Sequence, residues 1–181
     1  MIASVSRRYA RALFALAKDQ GLLEPIAADL ARAAAIAADP GVRQVLRNPL
    51  LSAGRRADIA GLIIGQLQPS PLLDSFLRLL ADSQRLDELP GIEREYARML
   101  DAALGRIQVT VRTAQPLDAG QQDEIVSTFA RITGKQVIPT VVGDPALLGG
   151  VVVEAGGRVY DGSVKTHFAR IAKELAGAVS L

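Results

Sequence analysis

The stretch Met99-Leu100-Asp101-Ala102-Ala103-Leu104-Gly105-Arg106-Ile107-Gln108-Val109-Thr110-Val111-Arg112 holds a change of period. Before it, Leu89, Ile92, Tyr96, Met99 and Ala103 recur at steps of three and four residues, one face of an α-helix. After it, Ile107, Val109 and Val111 alternate with Gln108, Thr110 and Arg112, the signature of a half-buried strand. Gly105 stands between the two periods and ends the helix. The switch divides the 181-residue chain into two domains, 1–105 and 106–181, each long enough to bury a core of its own.

Outward toward the N-terminus the period stays helical. Six helices are predicted: from about Ser4 to Gln20, stopped by Gly21; after Pro25 to near Ala38; between Asp39-Pro40 and Asn48-Pro49; from Ser52; from Ser70-Pro71 to about Asp82; and the one ending at Gly105. Alanine runs such as residues 31–38 favour helix and allow close helix packing. Outward in the other direction, a helix follows Leu117, opened by Asp118 with Gln121 three residues on and closed by Gly134. Val137 to Val142 reads as a strand, and Pro139 places it at an edge or a bulge. A hairpin turns at Ala155-Gly156-Gly157, and Asp161-Gly162 reads as a turn into a last helix from Ser163, with Val164, Phe168, Ile171 and Leu175 in register. The expected fold class is mainly α with a small α+β C-terminal domain: a six-helix bundle, then strand, helix, strand, hairpin, helix.

Composition narrows the chemistry. With no cysteine and one histidine, His167, thiol nucleophiles, disulfides and a zinc site are not expected. The 49% hydrophobic and 22% charged composition is ordinary globular usage, and the charged amphipathic start is unlike a signal peptide. Basic and acidic residues number 13 and 12 in residues 1–105, and 8 and 7 in 106–181, so neither half has the one-sided charge of a nucleic-acid binder. Thr133-Gly134-Lys135 lacks the glycine and hydroxyl residue of a phosphate loop, with Phe129 and Gln136 at those places. Asp144, Glu154 and Asp161 suit caps and turns, and no catalytic, cofactor or metal residue set emerges.

The positive signal is surplus apolar surface. Leu72, Leu73, Phe76, Leu77, Leu79 and Leu80 cover more than one face of the fifth helix. In the first, Val5, Tyr9, Leu13 and Leu16 run beside Ala10, Phe14 and Ala17. A helix this apolar is central in its bundle or lends a face to a partner helix.

The segments Arg8-Tyr9-Ala10-Arg11-Ala12-Leu13-Phe14-Ala15-Leu16-Ala17, Asn48-Pro49-Leu50-Leu51-Ser52, and Leu147-Leu148-Gly149-Gly150-Val151-Val152-Val153 leading to Val159-Tyr160-Asp161-Gly162-Ser163-Val164 together resemble the delta subunit of F-type ATP synthases, relative of the mitochondrial oligomycin-sensitivity-conferring protein. The likeness implies a non-catalytic stator subunit without cofactor, peripheral on the cytoplasmic face of the bacterial inner membrane with no direct membrane insertion. It implies that the bundle takes the N-terminal helix of an alpha subunit in a groove between its first and fifth helices, for which Tyr9, Leu13, Leu16, Phe76, Leu77 and Leu80 are the candidate contacts. Some of these must serve the bundle's own core, with Tyr9 the best suited to a partner. The C-terminal domain would meet the C-terminal end of the b subunits, with Gly149, Gly150, Asp161 and Gly162 as structural residues. The Arg- and Ala-rich opening also resembles helical RNA-binding antitermination factors, a reading opposed by the near-neutral charge and the added mixed domain.

Overall fold

The computed structural model describes residues 2–46 and 52–168; the Asn48-Pro49-Leu50-Leu51 break and the last-helix positions Ile171 and Leu175 lie outside them. The chain is mainly helical with a small sheet at its C-terminal end, and it divides into two compact units, Met1–Leu100 and Asp101–Leu181. The division falls in the last turn of a helix, five residues ahead of Gly105, because Asp101 already belongs to the second unit: its Oδ2 accepts from Gln108 Nε2 at 3.1 Å.

In the first unit the described helices are α1 (Ile2–Asp19), α2 (Leu23–Ala38), α3 (Pro40–Leu46), α4 (Ala53–Leu67), α5 (Pro71–Asp82) and α6 (Leu89–Ala103), with a single 3-10 turn, Leu86–Glu88, before α6. Each boundary has a local cause. Gly21 ends α1 at φ +68°, and Leu22 N donates back to Ala17 O at 2.8 Å. α2 starts two residues ahead of Pro25, not after it. Proline is accommodated there because first-turn amides have no partner within the helix. Asp39 Oδ1 accepts from Gly41 N and Val42 N, and Ser52 and Ser70 cap α4 and α5 through Arg55 N and Leu73 N. Gln68 and Gln84 take left-handed conformations after α4 and α5 without being glycine.

One apolar core joins these helices. Leu13, Ile26, Leu30, Leu73, Leu77, Leu80, Leu89 and Ile92 are completely buried in it. Tyr96 is also inside: its ring meets Phe14 edge-on at 5.4 Å, and its hydroxyl donates to Leu23 O at 3.0 Å. Burial pushes that hydroxyl's pKa up to about 12. Ser6 is buried on the same helix as Leu13, its Oγ donating to Glu88 Oε2 at 2.6 Å. A Cβ on Gly91 would come within 2.7 Å of that Oγ, so glycine permits the close approach of α6 to α1.

The second unit is a four-stranded sheet in the order β2-β1-β3-β4 with α7 (Ala119–Thr133) inserted between β1 (Arg106–Thr113) and β2 (Gln136–Gly143). β1 and β2 are parallel, joined by the crossover helix; β3 (Gly150–Ala155) and β4 (Arg158–Ser163) form the antiparallel hairpin, with β3 against β1. β2 is an edge strand, which accommodates Pro139. The alternation of β1 sends Val109 and Val111 to the face where Phe129 of α7, Val137, Val153 and Ala155 complete a core. Asp118 and Gln121 form a reciprocal capping box at the start of α7, and Gly134 closes it at φ +66°.

Candidate partner-docking surface

Tyr9 on α1 and Phe76 on α5 bring the two helices together, ring centroids 6.3 Å apart in an edge-to-face arrangement. From that contact each helix carries an apolar stripe onto the surface. At about 100° per residue, Tyr9, Ala12 and Leu16 share one side of α1, offset from the inward-facing Ala10, Leu13 and Ala17. On α5, Leu72, Phe76 and Leu79 lie together, offset from Leu73, Leu77 and Leu80. Leu16 is 50% exposed and Leu79 52%, Tyr9 and Leu72 are half-buried, and Phe76 is buried.

This burial sorts the six candidate contacts. Leu13, Leu77 and Leu80 are fully enclosed by the unit's own core, the role expected for some of the six. Helical spacing allowed either role, and packing against α2 and α6 decides it. Tyr9 and Leu16 reach the surface, while Phe76 supports Tyr9 from beneath. Leu79 and Leu72, which spacing had left among the surplus apolar residues of α5, are the exposed members of its outer stripe.

Charge borders the stripe on α1. Arg8 lies with its guanidinium carbon 5.6 Å from the centre of the Tyr9 ring. Arg7, Arg8, Arg11 and Ala12 line an open depression of about 450 Å³. Arg7 is committed to Glu95 Oε2 at 3.4 Å.

In the second unit the Gly149-Gly150 and Asp161-Gly162 pairs meet across the β3–β4 hairpin. Gly150 has φ +79°, and a Cβ there would lie 2.4 Å from Gly162 O and 3.0 Å from Ser163 Cα. No side chain fits. A Cβ on Gly149 would press on Val164 Cγ2 at 3.1 Å, and one on Gly162 on Val151 O at 3.2 Å. Asp161 and Gly162 are not a turn, as their sequence suggested, but lie within β4, just before its last residue Ser163, paired with Val152 and Val151. The helix-starting role rests on the Asp161 side chain, which accepts from Ser163 N and Thr166 Oγ1, both at 2.9 Å, holding its carboxyl below the usual carboxylate range. Ser163 Oγ accepts from Thr166 N at 3.2 Å, and residues 164–168 are helical.

Among the described residues no group of three or more His, Cys, Asp or Glu side chains is placed to hold a metal ion, and no helix is long and apolar enough to cross a membrane.

Residues 5–175 match the family model of the ATP synthase delta (OSCP) subunit. The chain belongs to that family. It is 37% identical to the ATP synthase subunit delta of Citrifermentans bemidjiense over 169 residues, 93% of this chain and 94% of the relative. With the subunit of the same name in Anaeromyxobacter dehalogenans strain 2CP-C it shares 38% identity over 176 residues, 97% and 98% of the two chains. A solved likeness is a chain of the Toxoplasma gondii mitochondrial ATP synthase hexamer, determined by cryo-electron microscopy, with a TM-score of 0.68 and 25% identity over 94% of this chain and 97% of that one.

Proposed function

We propose that this chain is a non-catalytic stator subunit of an F-type ATP synthase, holding the alpha/beta catalytic head to the membrane-anchored b subunits against the torque of the rotor. The N-terminal unit, working as a six-helix bundle over residues 1–105, takes the N-terminal helix of an alpha subunit between α1 and α5. The α+β unit, 106–181, meets the C-terminal end of b. In a bacterium this puts the chain on the cytoplasmic face of the inner membrane, held there by its partners. Family membership supports the setting. The observation that carries the docking role is the pair of outward apolar stripes joined at Tyr9 and Phe76 on helices whose opposite faces are already spent on the core.

The physical demand on such a joint is slow dissociation under load. An enclosed apolar groove meets it better than exposed ion pairs, each of which contributes at most about 1 kcal/mol. The test is binding of a peptide of the alpha-subunit N-terminus to the full chain by calorimetry. Tyr9→Ala is expected to weaken it about thirtyfold, the ~2 kcal/mol of an interface hot spot, with helical circular dichroism kept. Unchanged affinity would take Tyr9 out of the interface, and a collapsed melting point would return it to the core. Failure of the head to co-purify with the wild-type chain would remove the stator reading altogether.

A further inference from the structure

The two rims of the α1/α5 surface differ in charge, and the difference bears on what can lie there. On the α1 side, Arg8 and Arg11 are exposed one turn apart, and among the described residues neither enters an ion pair; Arg8 is held only over the Tyr9 ring. Arg8 stands one turn before Ala12 and Arg11 adjoins it, and Ala12, which shares the outward side of α1 with Tyr9 and Leu16, lines the depression with them. On the α5 side the one cation, Arg78, is bound to Asp74, Nε to Oδ2 at 3.0 Å, and among the described residues Asp82 is the charge of that helix outside an ion pair.

From this asymmetry we infer that the helix docked between α1 and α5 carries carboxylates along the flank that faces α1, and that Arg8 and Arg11 receive them over Ala12. The inference rests on the groove reading given above and adds to it the partner's chemistry and its direction along the groove. The apolar stripe holds an amphipathic helix in either direction along the groove, and reversing the direction exchanges its two flanks, whereas the rim admits one direction. An acidic flank turned toward Asp82 meets repulsion, and turned toward Arg8 and Arg11 meets two unpaired guanidiniums, with long stems that bury against the partner as their heads reach out. Rim charges of this kind act chiefly on encounter rate and choice of partner, and they are screened by salt.

The experiment uses the full chain and two synthetic peptides: the alpha-subunit N-terminal segment, and the same segment with every Asp and Glu replaced by Asn and Gln. Arg8→Glu/Arg11→Glu is expected to weaken the natural peptide about tenfold at low salt and about twofold at 0.5 M NaCl, and to leave the neutralised peptide unaffected. Arg8→Gln/Arg11→Gln, the milder variant, is expected to fall between. Both residues are exposed, so helical circular dichroism should be unchanged; Leu79→Glu, also exposed, reports on the groove itself by abolishing binding of both peptides. Binding that Leu79→Glu removes but rim reversal leaves intact overturns this inference while the groove reading stands. Binding that Leu79→Glu leaves intact overturns both, and equal affinity of wild-type chain for the two peptides overturns the acidic flank.

Discussion

Gly150 is the position where one atom decides whether the hairpin forms. A methyl at its left-handed backbone would sit 2.4 Å from Gly162 O, inside any permitted contact, and backbone cannot swing aside as a side chain does. Gly150→Ala is therefore expected to cost about 3 kcal/mol, conformational strain plus displaced hairpin, read as a lower melting temperature of the second unit with the α1/α5 surface unaffected. Gly149→Ala meets only Val164 Cγ2, the end of a side chain, and should cost less. Tyr96 is a second such residue. Its buried hydroxyl titrates at about 12 against an ordinary 10, so the neutral form is the one the fold favours. A raised value means that this contribution is complete below pH 10 and is lost as pH rises from 10 to 12. Tyr96→Phe should cost about 1 kcal/mol near neutrality through the lost bond to Leu23 O and should flatten the alkaline limb of stability, measured by denaturant unfolding across that range.

Among elements, α7 is the one whose ends are most fully specified by local chemistry. Asp118→Ala removes half of the capping box and should destabilise the second unit by about 1 kcal/mol, with Asp118→Asn recovering most of the loss in chemical denaturation. Features of this kind were legible in the sequence because they depend on residues three or four apart: the Asp118/Gln121 cap, the Gly21 and Gly134 stops, the Ser70-Pro71 start, the period change at Gly105, and Pro139 on an edge. What the sequence did not disclose depends on neighbours distant along the chain. In α1, Leu13 and Tyr9 sit on adjoining sides, and only packing with α2, α5 and α6 makes one core and the other surface. In α5, Leu77 and Leu79 are equally apolar and face opposite fates. Asp161-Gly162 has turn composition, but pairing with β3 holds it extended, a constraint that propensity alone does not contain. The 3-10 turn Leu86–Glu88 had no signal in the sequence; burial of Leu86 in the core of the first unit holds it.

At the scale of the whole molecule, the end of α6 belongs chemically to the sheet of the second unit rather than to the first unit. Asp101 bonds Gln108, and Gly105 O accepts from Gln136 N at 2.9 Å, so residues before β1 help anchor the strands. Limited proteolysis is expected to release a stable N-terminal fragment of about 100 residues. Cleavage first within the bundle, with no fragment of that size, would contradict two independently folding units. A fragment of residues 101–181 should also melt higher than one of 106–181, and equal melting points would show that those contacts contribute nothing.

Pro139 bears on the life of the chain before it meets its partners. A strand at the margin of a sheet is a template on which further strands accrete, and a ring that lacks an amide donor interrupts the row such growth would copy. Pro139→Val, which supplies the missing donor and a residue of high strand preference, is expected to leave the fold in place and to raise the rate of thioflavin-positive aggregation, so that the proline serves as a guard on an open edge.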